Sequence, residues 1–80
     1  MREEYIEAAL RGAKYEILRD EGVYYGEIAR CAGVYARART LEDCREELRE
    51  VLEGWVLLRI DRGLPLPALR GVDLNVQDAI

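Results

Sequence analysis

The chain has 80 residues, of which 50% are hydrophobic and 35% charged, with 12 basic against 16 acidic side chains and a net charge of −4. That balance excludes a disordered tail, disfavours phosphate backbones as the main ligand and suits a basic protein partner. There is no His and no Ser, so a Ser–His–Asp triad, a Cys–His nucleophile pair and a His-ligated zinc are all excluded.

A single domain of this size buries only roughly 60–65% of the surface that its unfolded chain exposes, so oligomerisation would help it. The opening MREEYIEAAL lacks the apolar core of a signal peptide, and no apolar run approaches the ~18 residues of a membrane span. A cytoplasmic protein without cofactor or metal is expected. Eleven of the 12 basic residues are Arg, and Asn and Gln occur once each, which fits GC-rich coding and a thermophilic source.

In chain order, residues 2–11 read as a short helix. Glu3 and Glu4 fall in its first turn, where the helix dipole favours anions. Tyr5, Ile6, Ala8, Ala9 and Leu10 share i, i+3, i+4 spacing, and Gly12 suits a left-handed C-terminal stop. Residues 13–19 (AKYEILR) are a strand, Asp20–Gly22 a tight turn, and residues 23–30 (VYYGEIAR) the returning strand. Residues 31–33 (CAG) turn the chain into a third strand, 34–38. There Val34, Ala36 and Ala38 take one face, and Tyr35 and Arg37 the other, which Arg39 follows. Three antiparallel strands in succession make a meander with one covered face.

Thr40 opens the long helix, predicted over 41–62 and so about 33 Å long at 1.5 Å per residue. TLED has the form of a capping box, with Thr40 accepting from the Asp43 amide and Asp43 reaching back. Leu41, Cys44, Leu48, Val51, Leu52, Trp55 and Leu58 recur at steps of three or four and form an apolar stripe. Val56, Leu57 and Ile60 lie outside that stripe. A helix apolar on two sides is buried on two sides, here against another subunit, so Val56, Leu57 and Ile60 are the expected oligomer contacts of a homodimer or tetramer; Trp55, in the middle of the stripe, reads as a core anchor or, alternatively, as a further oligomer contact. Gly54 weakens the helix by roughly 1 kcal/mol relative to Ala, which close approach of another helix would explain. Gly63 and Pro65 end the helix. LPLPALRG is an extended connector, and Val72, Leu74 and Val76 alternate with polar residues as a short fourth strand. The expected class is α+β, in the order α-β-β-β-α-β, with a single domain over residues 1–80.

The chemistry-bearing residues have plain structural readings. Cys31 and Cys44 form no CxxC pair and read as small buried hydrophobes. Asp20, Glu21, Glu27, Glu42 and Asp43 show no convergence of the kind a Mg²⁺-dependent nuclease needs, and read as turn, strand-surface and cap acids. Tyr15, Tyr24, Tyr25 and Tyr35, with Arg30, Arg37 and Arg39, suggest an RNA-stacking sheet, but their spacing matches no RNP motif. Tyr flanked by Arg is equally the composition of a protein-binding surface.

The stretch YYGEIARCAGVYARARTLEDC resembles the small HicB antitoxin domain, a partial RNase-H-like fold of toxin–antitoxin systems. Tyr24, Tyr25, Gly26, Glu27 and Ile28 match the family's aromatic strand, and Gly33 its turn glycine. Thr40, Leu41, Glu42 and Asp43 match its helix start, with Cys44 in its small-residue slot. Gly63, Pro65 and Pro67 match its closing Gly-x-Pro-x-Pro. The resemblance covers residues 13–67, with residues 1–12 an added helix and 68–80 a terminal strand and tail. Ala29, Arg30 and Ala32 replace the family's Pro, Asp and Pro, and Ala38 replaces a glycine.

The resemblance implies a non-catalytic antitoxin that binds and neutralises a small basic HicA-type mRNA endoribonuclease, with Glu21, Glu27 and Tyr35 as the expected partner contacts. Many HicB proteins continue into a DNA-binding domain. None is expected here, so operator binding is not carried over. Two alternatives stand beside this reading: an orphan oligomeric module of the same fold, and an RNase-H-like nuclease.

Overall fold

Thr40 fixes the start of the longest element. Its backbone is extended (φ −123°, ψ 157°) and its hydroxyl accepts from the Asp43 amide at 3.0 Å, which satisfies one of the amide donors that a helix N-terminus leaves without an intrahelical acceptor. This is the first half of the expected capping box. The computed structural model describes residues 2–69, and of Arg2 the backbone alone. Its elements are α1 (Arg2–Arg11), β1 (Lys14–Leu18), β2 (Val23–Glu27), β3 (Tyr35–Ala38) and α2 (Leu41–Asp61). The fold is the expected α+β arrangement. The predicted strand at Val72–Val76 lies outside the described residues.

At the far end of α2, Gly63 adopts φ 69°. Its amide donates to Ile60 O at 3.1 Å and that of Leu64 donates to Arg59 O at 2.8 Å. This is the Schellman arrangement, and it needs a residue tolerant of the left-handed region. Arg59 Nε then donates to Pro65 O at 2.9 Å, which ties the connector back to the helix. The expectation for Gly12 is corrected: its φ is not positive. Instead Gly12 N donates to Ala9 O at 3.0 Å and Ala13 N to Leu10 O at 3.1 Å. These tighter i→i+3 turns close α1 with ordinary backbone angles.

The sheet order is β1-β2-β3, antiparallel throughout. The turn after β1 uses the amides of Glu21 and Gly22, both donating to Leu18 O. β2 stops at Glu27 rather than at the predicted Arg30. Residues 28–34 fold into a compact turn in which Ile28 N donates to Val34 O, Cys31 N to Ile28 O and Val34 N to Cys31 O, with Gly33 at φ 95°. The turn buries Ile28, Cys31 and Val34, and Ile28 continues the period-two line of Tyr24 and Gly26, so the sequence pattern runs on past the end of the strand.

α2 covers one face of the sheet. The register places Tyr15 beside Gly26 and Gly26 beside Ala36 on that face. A Cβ at Gly26 would lie 2.7 Å from the Tyr15 ring and 3.3 Å from Cys44 Sγ. Only a hydrogen fits there, so Gly26 is set by packing. The core joins Cys44, Leu48, Leu52 and Val56 of α2 to Tyr5, Ile6 and Ala9 of α1, to the turn and to Leu66 of the connector.

The stripe on α2 differs from the one expected. The buried line is Cys44, Leu48, Leu52, Val56, whereas Val51 and Leu58 are 37% and 49% exposed. Steps of four advance about 40° each around the helix, so the buried line winds round and takes in Val56 near the C-terminal end. Val56 is therefore a core residue with no exposed surface, not a residue left over for another subunit. Leu57 and Ile60 remain about half exposed, and Trp55 is half-buried against the core, with the Arg59 guanidinium 4.9 Å from its ring centroid.

Candidate functional site: the uncovered face of the sheet

Strand alternation assigns every second residue to the face that α2 leaves open. The register aligns Lys14, Glu27 and Tyr35 in one row across the three strands, and Glu16, Tyr25 and Arg37 in the next. Of the residues singled out from sequence, Glu27 and Tyr35 are thus direct cross-strand neighbours. Glu21 joins them from the β1–β2 turn, where its Oε1 lies 3.0 Å from Arg37 Nη1. Tyr25 Oη donates to Glu27 Oε1 at 3.0 Å, and the Tyr25 and Tyr35 rings stack with centroids 6.2 Å apart at 28°.

The three expected contacts therefore occupy one surface together with Tyr25 and Arg37, which complete it. The signal for both was present in the alternation: Tyr25 stands two residues from Glu27, and Arg37 two from Tyr35. The tyrosines do not form a single platform. Tyr15 and Tyr24 are on the α2 side and pack against the core, while Tyr25 and Tyr35 face outward.

The face is electrostatically mixed. Accepting the phenol hydrogen bond, the Glu27 carboxylate holds Tyr25 above its ordinary pKa, with smaller contributions in the same direction from desolvation and from Glu27's charge. Arg37 is compensated by Glu21 at the turn, both being about half exposed. The result is an outward-facing aromatic pair, Tyr25 half-buried and Tyr35 exposed, edged by carboxylates. It can bind a partner surface through stacking, hydrogen bonds and charge.

Arg30, which occupies the acid position of the HicB pattern, belongs elsewhere. Its Nη1 donates to Ala68 O at 2.9 Å, so it fastens the β2–β3 turn to the connector. It also lines an open cavity of about 870 Å³ with Ala8, Ile28 and Leu69. A second cavity, of about 520 Å³, lies between α1 and the start of α2, lined by Glu7, Arg11, Tyr15, Glu42, Arg45 and Arg49. Among the described residues no group of three or more His, Cys, Asp or Glu is placed to hold a metal ion, and no helix is long and apolar enough to cross a membrane. Both cysteines are free and buried. Burial pushes each thiol up, opposed at Cys31 by the neighbouring Tyr5 hydroxyl and the Arg59 charge.

The family model described as UPF0150-like matches residues 4–67, and the chain belongs to that family. The crystal structure of TTHA0281 from Thermus thermophilus is similar at a TM-score of 0.87 and 36% identity, over 96% of this chain and 95% of that one. No curated protein matches the chain.

Proposed function

We propose that this chain is a non-catalytic, antitoxin-like protein of the HicB type that binds and neutralises a small basic mRNA endoribonuclease of the HicA type, using the uncovered sheet face. The observation that carries the reading is the outward-facing Tyr25–Tyr35 pair, half-buried and exposed respectively, with Glu21, Glu27 and Arg37 around it, on a chain of net charge −4. Tyr and Arg are the residue types that dominate interface energetics, and the carboxylates complement a basic partner. Membership of the UPF0150-like family and the motif resemblance over residues 13–67 support the same reading. The likeness to a Thermus protein supports a thermophilic source.

The test is co-expression with the product of a short, basic neighbouring reading frame. The expected result is co-purification and relief of growth arrest. Tyr35→Ala should weaken the complex by roughly tenfold or more, as removal of an interface aromatic does. A neighbour that neither binds nor is toxic sinks the proposal. Mg²⁺-dependent RNA cleavage by the purified chain, lost in Glu27→Gln, would replace it with the nuclease reading.

A second reading, an oligomeric module of the same fold without a toxin, is favoured by one observation. Leu57, Leu58, Ile60 and Leu64 are each 44–49% exposed at one end of the molecule. The two readings use different surfaces, so self-association and toxin binding are compatible.

A further inference from the structure

Positions 47, 51, 54 and 58 recur in steps of three or four and form one line along α2, roughly a quarter-turn from its buried line, and Arg62, the residue that caps the helix, follows at the next step. The line reads Glu47, Val51, Gly54, Leu58, Arg62. Val51 and Leu58 are 37% and 49% exposed, and Trp55 stands at the edge of the line, half-buried. Among the described residues a Cβ at Gly54 would meet nothing within 4 Å, so packing there gives no reason for a glycine in the middle of a long helix, where it is the least favourable residue after proline. Neither Glu47 nor Arg62 has an ion-pair partner among the described residues.

We propose that this line is the contact between two copies of the chain, with their α2 helices crossing antiparallel about a two-fold axis at Gly54 and Trp55. This deepens the self-association reading and rests on it, sharing Leu58 with the exposed residues behind that reading and leaving Leu57, Ile60 and Leu64 outside the pairing. A two-fold there sets Val51 against Leu58 of the partner subunit, and Trp55 into the space above Gly54 of the partner subunit. It also sets Glu47 against Arg62 of the partner subunit, and the same pairs recur on the other side of the axis. The missing side chain lets the helices approach where the indole needs room. Charge selects the direction. A parallel pairing would set Glu47 against its own copy and Arg62 against its own, and would leave each Trp55 facing another Trp55. The line is thus self-complementary in one orientation only, which identifies a second copy as its occupant rather than a different protein.

Sedimentation equilibrium of the full chain from about 1 to 100 µM tests this, with Gly54→Gln, Glu47→Arg, Arg62→Glu and the double reversal Glu47→Arg/Arg62→Glu. The parent chain should be dimeric. Gly54→Gln, which favours the helix itself, should raise the dissociation constant roughly tenfold or more while helical circular dichroism is retained. Each single reversal should raise it about tenfold, and the double reversal should return it to within about threefold of the parent. A parent chain that is monomeric throughout overturns both this pairing and the self-association reading. A dimer indifferent to Gly54→Gln, or one that the double reversal fails to restore, overturns the antiparallel pairing alone.

Discussion

The phenol of Tyr5 donates to the carbonyl of Pro67 at 2.7 Å, across 62 positions of sequence. Tyr5 has no exposed surface, so this bond lies where α1, α2 and the connector meet, and it closes the described chain end to end. Tyr5→Phe keeps the ring and removes the donor. The expected cost is about 1 kcal/mol, within the usual range for one hydrogen bond. Tyr5→Ala should cost about 3–5 kcal/mol, as loss of a buried aromatic does. Urea unfolding followed by circular dichroism measures both, and equal losses for the two variants would show that the hydroxyl, not the ring, carries the contact.

Two glycines should respond to the same substitution with opposite signs. Gly26→Ala puts a methyl group 2.7 Å from the Tyr15 ring. The ring must shift, and overpacking of this kind costs about 1–3 kcal/mol. Gly54→Ala meets nothing among the described residues and should stabilise the isolated chain by up to about 1 kcal/mol. Thermal unfolding in dilute solution compares them. A stable Gly26→Ala variant would mean that Tyr15 has an alternative rotamer at no cost.

What the sequence disclosed of this fold was whatever depends on local rules. Thr40, the Gly22 and Gly33 turns, the Gly63 stop and the alternation of Tyr35 with Ala36 each follow from a few neighbouring residues, and each stands where it was expected. Gly12 is the local expectation that failed, because turns with ordinary backbone angles close α1. The other errors share another cause. Val56 in place of Val51 and Leu58, and the end of β2 at Glu27, depend on what lies against the element, and periodicity alone does not report that. The bonds from Tyr5 to Pro67 and from Arg30 to Ala68 join segments too distant in sequence for any spacing to reveal. On the sheet face, alternation was enough to unite Glu27 and Tyr35. Bringing Glu21 to Arg37 required the turn geometry.

Stability should fall on the alkaline side. Burial raises the pKa of Cys31, Cys44 and Tyr15, so the folded chain holds these protons to higher pH than the unfolded chain does. Their contribution is fully present below the ordinary thiol and phenol values, about 8.5 and 10, and is lost as pH rises through the raised ones. The melting temperature should be flat from about pH 7 to 8 and decline above about pH 8.5. In Cys31→Ala/Cys44→Ala, itself less stable at neutral pH because of the cavities, the onset should move toward the tyrosine range. An unchanged onset would remove the thiols from the account. The native thiols should also resist a water-soluble disulfide reagent until the chain opens.

Arg49 joins the two helices electrostatically. Its guanidinium lies 3.0 Å from Glu7 Oε2 and 3.5 Å from Glu3 Oε2 on α1, and 3.2 Å from Glu53 Oε2 one turn along α2. The Glu7 hydrogen bond leads the contributions that raise the Arg49 pKa, so its charge is fixed over the whole working range. Because the carboxylates are about half exposed or more, a single such pair contributes little. Three converging on one cation form a network. Arg49→Met, which retains most of the apolar stem, should lower the melting temperature modestly at low ionic strength. The difference from the parent chain should shrink as salt rises toward 1 M, where the screening length falls to about 3 Å. A loss that persists unchanged at high salt would mean that Arg49 acts through packing of its methylene chain between α1 and α2 rather than through its charge.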